Sequence, residues 1–454
     1  MHVARFTTLL LGVGLAAGCG DNAAPSFPTT DCTKVTTSNC VEVRGGDSAA
    51  LQTAANSIEA DTTVVLGAGT FVMTGQVTFN TPGAHLVGQG IDQTTLDFGQ
   101  VKTQVEGVYA ISDGFLVQDL TVLDAPKDGI RVEHSKGVTF RRIRATWTKE
   151  SSPENGAYGI YPVTSQNVLV EDSRAENAAD AGLYVGQCQH VIVRGNTVTK
   201  NVAGLEIENT QYADVYNNTA EDNTGGIVVF DLPGNPIVGR DVRLRDNMIQ
   251  NNNHANFAAG GTVANIPAGT GTFAMASRRV EITGNTYANN NTVDISLISG
   301  LALEPDASKW TLPIASLAGS IEGLNLMTAG PDAIMNFRGE NILVANNHHS
   351  GSGTMPPTND PLMLGLLLSV IYAGQPVDSV LYDAIGETFD MNVAANNTNL
   401  NHVCVGGNTG GTFASLGLAT QKDLPHPFFR PAAPFAPYDC TALDGGPVDG
   451  VVLP

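Results

Sequence analysis

The sequence is short of positive charge, of aromatic side chains and of charged residues in general. Lysine and arginine number 23 against 44 aspartates and glutamates, which gives a formal net charge of −21. Nucleic acid binding requires a basic surface, so this balance excludes nucleic acid as the main partner. It also disfavours an anionic polymer unless a local basic patch or a bound cation intervenes.

Metal-binding motifs are also missing. The six cysteines include no CxxC spacing, and the nine histidines are scattered along the chain. Structural zinc sites need such spacings, so we assign no metal ligands and expect no cofactor. Calcium is the one ion that neighbouring carboxylates of this sequence can hold.

Apolar runs long enough to cross a membrane are missing too. The first apolar run, residues 9–17, follows the single charge of Arg5 and leads into Cys19. Its end, Leu-Ala-Ala-Gly-Cys, resembles the lipobox of bacterial lipoproteins. The resemblance implies that residues 1–18 are a signal peptide, that Cys19 carries the lipid, and that residues 19–46 are a flexible tether. It also implies a Gram-negative cell envelope, with the outer membrane favoured by Gly20.

Export permits disulfide bonds among the remaining five cysteines. Cys32 and Cys40 lie eight residues apart near the N-terminus, while Cys404 and Cys440 flank the C-terminal region. We therefore predict the disulfides Cys32–Cys40 and Cys404–Cys440. Cys188 stands alone among the repeats and is predicted to be a buried free thiol.

Glycine is abundant, and part of it marks an internal repeat. Gly159, Gly182, Gly204 and Gly226 follow one another at spacings of 23, 22 and 22 residues. Apolar residues alternate with others after each glycine, which is the period of a β-strand. Units of this length with several short strands and no helix predict an all-β fold, a right-handed parallel β-helix.

The rest of the chain extends this repeat in both directions. We predict a β-helix over residues 47–410, with a capping helix at its N-terminal end and a C-terminal extended tail, residues 411–454, packed on it. Loop excursions are expected at residues 254–279, 300–335 and 350–376, where the period is lost. The segment TTVVLGAGTF at residues 62–71 and the strands after it resemble the first coils of pectin-lyase-like proteins.

Aligning the repeats places polar and aromatic side chains in adjacent outward-facing rows within about three coils, or roughly 15 Å. We predict as catalytic candidates Tyr158, Tyr161, Tyr184 and Arg131. We predict as substrate-binding candidates Glu133, His134, Asp180, Glu206, Glu208 and Asp231.

These residue types fit the chemistry of sugars. Tyrosines stack on sugar rings, arginine holds a uronate carboxylate, and a tyrosine or histidine can move the C5 proton in elimination or epimerisation. Paired carboxylates can instead hydrolyse a glycosidic bond or hold Ca²⁺. The alternative is a solvated polar ladder without function, because the outward rows of a β-helix must be polar somewhere.

Two further resemblances concern function. The strand YGIYPV at residues 158–163 resembles the active-site strand of secreted mannuronan C5-epimerases, with Tyr161 and Val163 in place of that family's aspartate and histidine. Residues from about 105 to 450 resemble a family of exported parallel β-helix repeat proteins of unknown function. Members of that family look like partners of a second exported protein.

Three hypotheses for function remain open. The first is a membrane-anchored lipoprotein that binds, and as a lyase or C5-epimerase processes, an acidic extracellular polysaccharide. The second is a non-catalytic scaffold or binding lipoprotein for a protein or glycan partner. The third is metal handling, which the lack of a His/Met/Cys cluster disfavours.

Overall fold

The computed structural model describes residues 31–317, 319–324, 326–387, 398–417 and 436–454. The predicted signal peptide, the lipidated Cys19 and residues 19–30 of the predicted tether lie outside the described residues. Among the residues that the structure describes, no helix is long and apolar enough to cross a membrane.

Parallel strands stack into three faces around one core, as the predicted β-helix requires. The first face consists of Val77–Phe79, Val108–Ala110, Ile130–Glu133, Tyr158–Val163, Ala181–Gly186, Ala203–Glu208, Gly225–Phe230, Thr270–Met275, Val293–Ile298, Val380–Tyr382 and Phe413–Ser415. The second face consists of Asn39–Val43, Thr62–Leu66, Ala84–Val87, Leu116–Leu123, Lys136–Thr146, Gln166–Glu171, Gln189–Arg194, Gln211–Tyr216, Arg240–Arg245, Arg278–Thr283, Glu340–Ala345 and Val403–Gly406.

The third face shares two long strands with the second, Leu116–Leu123 and Lys136–Thr146, which bend around the corner between them. Its other strands are Gly69–Val72, Thr94–Asp97, Arg174–Glu176, Thr197–Thr199, Thr219–Glu221, Met248–Gln250, Thr286–Ala288 and His348–Ser350. Neighbouring strands in each stack lie about 4.8 Å apart.

Buried asparagine ladders fix the corner between the second and third faces. In one ladder each side-chain amide donates to the next asparagine and to a backbone carbonyl, so the buried polar groups are satisfied. This ladder comprises Asn196, Asn218, Asn247, Asn285, Asn347 and Asn408. The residue before each asparagine adopts a left-handed backbone, as at Asn217 and Asn346. The left-handed residue therefore turns the chain, and the asparagine after it contributes its side chain to the ladder.

The N-terminal end of the stack carries the predicted helix, Ser48–Ser57. Its buried Leu51 packs into the core, and the helix lies against Val77–Phe79, the first strand of the first face. The expectation of a flexible tether through residue 46 is wrong for its described part. Asn39–Val43 pairs in parallel with Thr62–Leu66, and Cys32 is disulfide-bonded to Cys40.

The C-terminal residues also join the β-helix. Phe413–Ser415 pairs with Val380–Tyr382, so the predicted boundary at residue 410 is too early. Tyr438 is buried against Phe413, and Cys440 is disulfide-bonded to Cys404. Cys188 is a buried free thiol.

Three excursions interrupt the coils near the predicted positions. The first is shorter than residues 254–279, because Thr270–Met275 is a regular strand of the first face and residue 278 begins the next coil. The second contains a small antiparallel sheet of Thr311–Pro313, Met327–Thr328 and Ala333–Met335. The third contains the helix Leu364–Tyr372. Short 3-10 helices complete the described structure at Cys32–Lys34, Thr262–Asn265, Gly300–Ala302, Ala307–Trp310 and Ile314–Ser316.

Candidate functional site

The strand register of the first face brings the predicted rows together. Arg131 pairs with Tyr161, and Tyr184 pairs with Glu206. Gly186 pairs with Glu208 and with Val163. The register also shows that Tyr158 pairs with Ala181, so Asp180 lies one position before the row that contains Tyr158.

Three tyrosines form the centre of this site. The ring centroids of Tyr158 and Tyr161 are 4.6 Å apart, those of Tyr158 and Tyr184 are 4.6 Å apart, and those of Tyr161 and Tyr184 are 4.8 Å apart. Gly186 is required here because a Cβ atom at that position would lie 2.3 Å from the Tyr184 ring. The Tyr184 ring therefore folds over the backbone of its own strand and covers the neighbouring coil.

Carboxyl groups line the tyrosines on one side. Asp180 accepts a long hydrogen bond of 3.5 Å from the Tyr158 hydroxyl. Glu208 accepts hydrogen bonds from Gln187 at 2.8 Å and from Asn235 at 2.7 Å. Glu206 lies two residues before Glu208 on the same strand, and one of its oxygens, Oε1, has no hydrogen-bond partner among the described residues.

Burial and mutual repulsion keep protons on these carboxyl groups. Burial, with the nearby Glu208 charge, raises the pKa of Asp180 to about 7. Burial also raises the pKa of Glu208 to about 7, although its hydrogen bonds oppose the shift. The pKa of Glu206 lies well above its usual range because the side chain is buried and faces Asp180 and Glu208. Groups with a pKa near 7 can both donate and accept protons at neutral pH.

The tyrosines, in contrast, do not ionise at neutral pH. Burial and neighbouring carboxylates raise the pKa of Tyr158 and Tyr184 far above the usual range, and burial raises the pKa of Tyr161 to about 12. They remain protonated at neutral pH and are poor general bases. Stacking and hydrogen bonding are the roles that their positions allow.

Arg131 is already neutralised by two carboxylates. Its Nε and Nη2 donate to Glu133 at 3.0 and 2.5 Å, and Nη1 lies 3.5 Å from Glu106. Its guanidinium group also lies 5.1 Å from the centroid of the Tyr161 ring. The guanidinium group is therefore paired with carboxylates of the protein itself. Its holding of a substrate carboxylate stays a prediction.

The site is much less exposed than the sequence predicts. Solvated outward rows are expected, but Tyr184 is 5% exposed, Glu206 1% and Asp231 0%. The first and second excursions pack on this face through an apolar cluster that includes Val263 and Trp310. Only the side of the site that contains Arg131, Tyr158 and Tyr161 remains half-exposed.

Two predicted residues lie at the edges of the site. His134 is exposed at a corner, where its Nδ1 lies 3.1 Å from the Thr164 hydroxyl. Asp231 is buried at the other end and accepts hydrogen bonds from the Gly239 backbone and from Asn336. Burial raises its pKa to about 6, while Arg278 opposes the shift.

Tyr109 belongs to this site although it was not predicted from the sequence. It pairs with Arg131 one coil earlier, and its hydroxyl donates to Glu133 at 2.5 Å. A signal for it existed, because Gly107 precedes Gly129 by the same 22 residues that separate the later glycines. Asp128, with a pKa raised to about 6 chiefly by burial, also belongs to this cluster.

One close group of possible metal ligands lies at the second-face strand Val403–Gly406. In the described part of the chain, one group of three His, Cys, Asp or Glu residues places its ligand atoms within 4.8 Å of one another, namely His402, Cys404 and Cys440. The two cysteines of this group form a disulfide.

The parallel register, the three stacked faces and the buried core define a right-handed parallel β-helix protein. Residues 106–265 match the sequence family described as the right-handed beta helix region. This match covers the coils that contain the tyrosine cluster. The predicted all-β fold class is confirmed.

Solved structures with a similar fold include polysaccharide-modifying enzymes and an adhesin. The A-module of mannuronan C-5 epimerase AlgE4 from Azotobacter vinelandii is 14% identical, with a TM-score of 0.45 over 84% of this chain and 96% of that chain. Pectate lyase Pel9A is 13% identical, with a TM-score of 0.43 over 70% and 78%. The Streptococcus pneumoniae surface adhesin PfbA is 12% identical, with a TM-score of 0.43 over 74% and 83%. No curated protein matches the sequence. All three TM-scores are below 0.5, so the fold assignment rests on the register and the family match.

Proposed function

We propose that the protein is exported, is anchored in the outer membrane of a Gram-negative cell envelope through a lipid on Cys19, and binds an extracellular polysaccharide on the first face. The observation that carries this proposal is the contact of the Tyr158, Tyr161 and Tyr184 rings beside carboxyl groups. Aromatic rings beside hydrogen-bonding acids suit sugars, which present both apolar C–H faces and hydroxyls.

An acidic polysaccharide fits this site only because the carboxyl groups of the protein at the site hold protons. A protonated Asp180 or Glu208 can donate a hydrogen bond to a sugar carboxylate instead of repelling it. Because Arg131 is already paired with Glu133 and Glu106, hydrogen bonds from these protonated groups are the available way to bind a uronate. Binding should therefore weaken as the pH rises above about 7, when both groups ionise.

The same carboxyl groups supply the acid–base function that a lyase or C5-epimerase needs. One ionised carboxylate removes the C5 proton, and the other carboxyl group, still protonated, gives a proton to the leaving oxygen in elimination or to the opposite face of C5 in epimerisation. Asp180 and Glu208 are the candidates for these two roles. The tyrosines then position the sugar ring, which changes their predicted catalytic role to a binding role.

Activity on a panel of polymers tests the proposal. Purified protein is incubated at several pH values with polymannuronate, polygalacturonate and a neutral glucan, and unsaturated ends, C5 inversion and chain shortening are measured. We expect reaction or binding with an acidic polymer and its loss in Asp180→Asn and Glu208→Gln. Glu176→Gln is the matched control, because that carboxylate is paired with Arg144 on the third face. If the wild-type protein neither binds nor changes any polymer, the proposal is wrong.

A non-catalytic binding role is the second candidate, and the burial of the site favours it. Excursions cover Tyr184 and Glu206, which leaves a polymer access only to the side formed by Arg131, Tyr158 and Tyr161. A scaffold or binding lipoprotein for a glycan or a second exported protein needs only this accessible side as its binding surface. Binding without turnover, reduced about fivefold by Tyr161→Ala but not by Tyr216→Ala, would support this role over catalysis.

A further inference from the structure

A second cavity lies outside the tyrosine site. Its volume is about 840 Å³, and it opens between the beginnings of three second-face strands, the antiparallel excursion and the C-terminal segment. Arg240, Arg278 and Glu340 begin these strands and stack in register, one residue per coil. The cavity has the size of an ordinary small-molecule site.

Four arginines line this cavity, in a chain whose net charge is −21. Two of them build its walls. Arg240 donates to Asp241 and to the backbone carbonyl of Glu322, and Arg279 donates to Asp241 and to the carbonyl of Asp444. These two arginines hold the excursion and the C-terminal segment against the β-helix through these hydrogen bonds.

The other two arginines keep donors free. Arg278 is 1% exposed, and its Nε and Nη2 have no hydrogen-bond partner in the described part of the chain. Its nearest carboxylates are Asp231 at 3.9 Å and Glu340 at 3.8 Å, both beyond hydrogen-bond distance. The buried Nε of Arg338, which also lines the cavity, is likewise without a partner among the described residues.

A free acceptor lies in the same cavity. The Asn401 amide nitrogen donates to the Tyr382 hydroxyl and to the Ile385 carbonyl, while its buried Oδ1 has no partner among the described residues. Tyr212, 37% exposed, presents its ring at the cavity wall. The cavity therefore offers guanidinium donors, one amide acceptor and an aromatic surface, beside the carboxylates of Asp241, Glu340, Asp444 and Asp449.

We propose that this cavity is a binding site for an anionic saccharide, whose oxyanion is held by Arg278 and Arg338 and whose hydroxyl donates to Asn401. Guanidinium groups match planar and tetrahedral oxyanions, and buried donors without partners gain most from such a ligand. The shared chemistry is an oxyanion on a sugar, from either a uronate carboxylate or a sulfate ester. This site is separate from the tyrosine site and does not depend on the function proposed for it.

Calorimetric titration of the full chain carrying Tyr161→Ala tests the proposal, because this change weakens the competing first-face site. The probes are trigalacturonate, a sulfated trisaccharide without carboxylates, and a neutral trisaccharide. We expect at least one anionic probe to bind about tenfold more tightly than the neutral one. The stronger of the two anionic probes identifies the source of the oxyanion.

Substitutions in the same background locate the site. Arg338→Gln should weaken anionic binding about tenfold, and Arg278→Lys should weaken it although the charge is retained, because lysine cannot donate bidentately. Arg144→Gln, on the third face, should leave binding unchanged. The proposal is overturned if no anionic probe binds, if the neutral probe binds equally well, or if folded Arg338→Gln protein binds as tightly as its parent.

Discussion

Glu171 and Glu206 both occupy outward-facing rows of the β-helix and are both buried, yet their pKa values shift in opposite directions. Burial raises the pKa of Glu171, but hydrogen bonds from Arg194 and Arg141 outweigh it, and the pKa lies below its usual range. Burial raises the pKa of Glu206, and repulsion from Asp180 and Glu208 raises it further. The two environments differ in the charge of the neighbours in the same stack.

The register explains this difference. In the second-face row, Glu171 pairs with Arg141 on one side and with Arg194 on the other. In the first-face row, Glu206 pairs with Tyr184 and Val228, neither of which is charged. Alternating signs make the second-face row a stable surface ladder, whereas buried carboxyl groups without cations must hold protons or a ligand. This contrast separates a structural row from a candidate site.

The largest expected effect is on the pH dependence of stability. Asp180 and Glu208 have pKa values of about 7 when folded, above those of the unfolded chain, so the folded state binds more protons. The stability that they contribute is present below about pH 4 and is lost as the pH rises to about 7, by about 3 kcal/mol for each group taken alone. Denaturant unfolding from pH 5 to pH 8 measures it.

The control for this experiment is a double variant, Asp180→Asn with Glu208→Gln. It removes both titrating groups, so its unfolding free energy should change less over the same pH range. Second-face acids such as Glu171 have a lowered pKa, so their contribution to the unfolding free energy is lost only at lower pH. They therefore do not affect the pH profile between pH 5 and pH 8. Equal pH profiles for the wild type and the double variant would show that the cluster does not hold protons.

The same substitution should have opposite effects on the two faces. At pH 8, Glu206→Gln removes a buried carboxyl group that is costly to ionise, and we expect unfolding to cost about 1 to 2 kcal/mol more. Glu171→Gln deprives Arg141 and Arg194 of their shared carboxylate, and we expect a loss of about 1 to 2 kcal/mol. Urea unfolding of both variants measures the difference. A loss at both positions would mean that Glu206 is stabilising and that its neighbours do not repel it.

The repeat was sufficient to predict the rows but not their burial. Glycines at 22-residue spacing predict which residues share a row, because a parallel register aligns equivalent positions of successive coils. The side chains that cover those rows come from excursions without a period. Trp310, fully buried over the first face, lies more than a hundred residues after Tyr184. Nothing local in the sequence connects the two.

The role of Arg131 was also beyond prediction from the rows alone. Its alignment with Tyr161 was correct, and the partner Glu133 on the same strand was identified. Whether the guanidinium group turns to the substrate side or to its own strand depends on rotamers, which the repeat does not determine. The cavity around Arg278 is a similar case, because its walls come from three segments distant in sequence.

The smallest expected effect distinguishes burial from charge as the cause of the raised carboxyl pKa values on the first face. Gly186→Ala changes no charge, but its Cβ would lie 2.3 Å from the Tyr184 ring and displace it. We expect a stability loss of about 1 kcal/mol from this overpacking. Gly75→Ala is the matched control, since nothing lies within 4 Å of a Cβ atom there.

Displacing the Tyr184 ring should also admit water to Glu208, whose pKa is raised chiefly by burial. The displacement also removes a hydrogen bond from Tyr184 that lowers this pKa, but burial is the larger of the two effects. We therefore expect the pKa of Glu208 to fall from about 7 towards the ordinary value in Gly186→Ala, as followed by carboxyl carbon chemical shifts. If the pKa stays raised although the ring has moved, repulsion within the acidic stack dominates over burial. Asp231→Asn should then lower the pKa of Glu208 instead, because Asp231 is the neighbouring carboxylate whose charge raises that pKa.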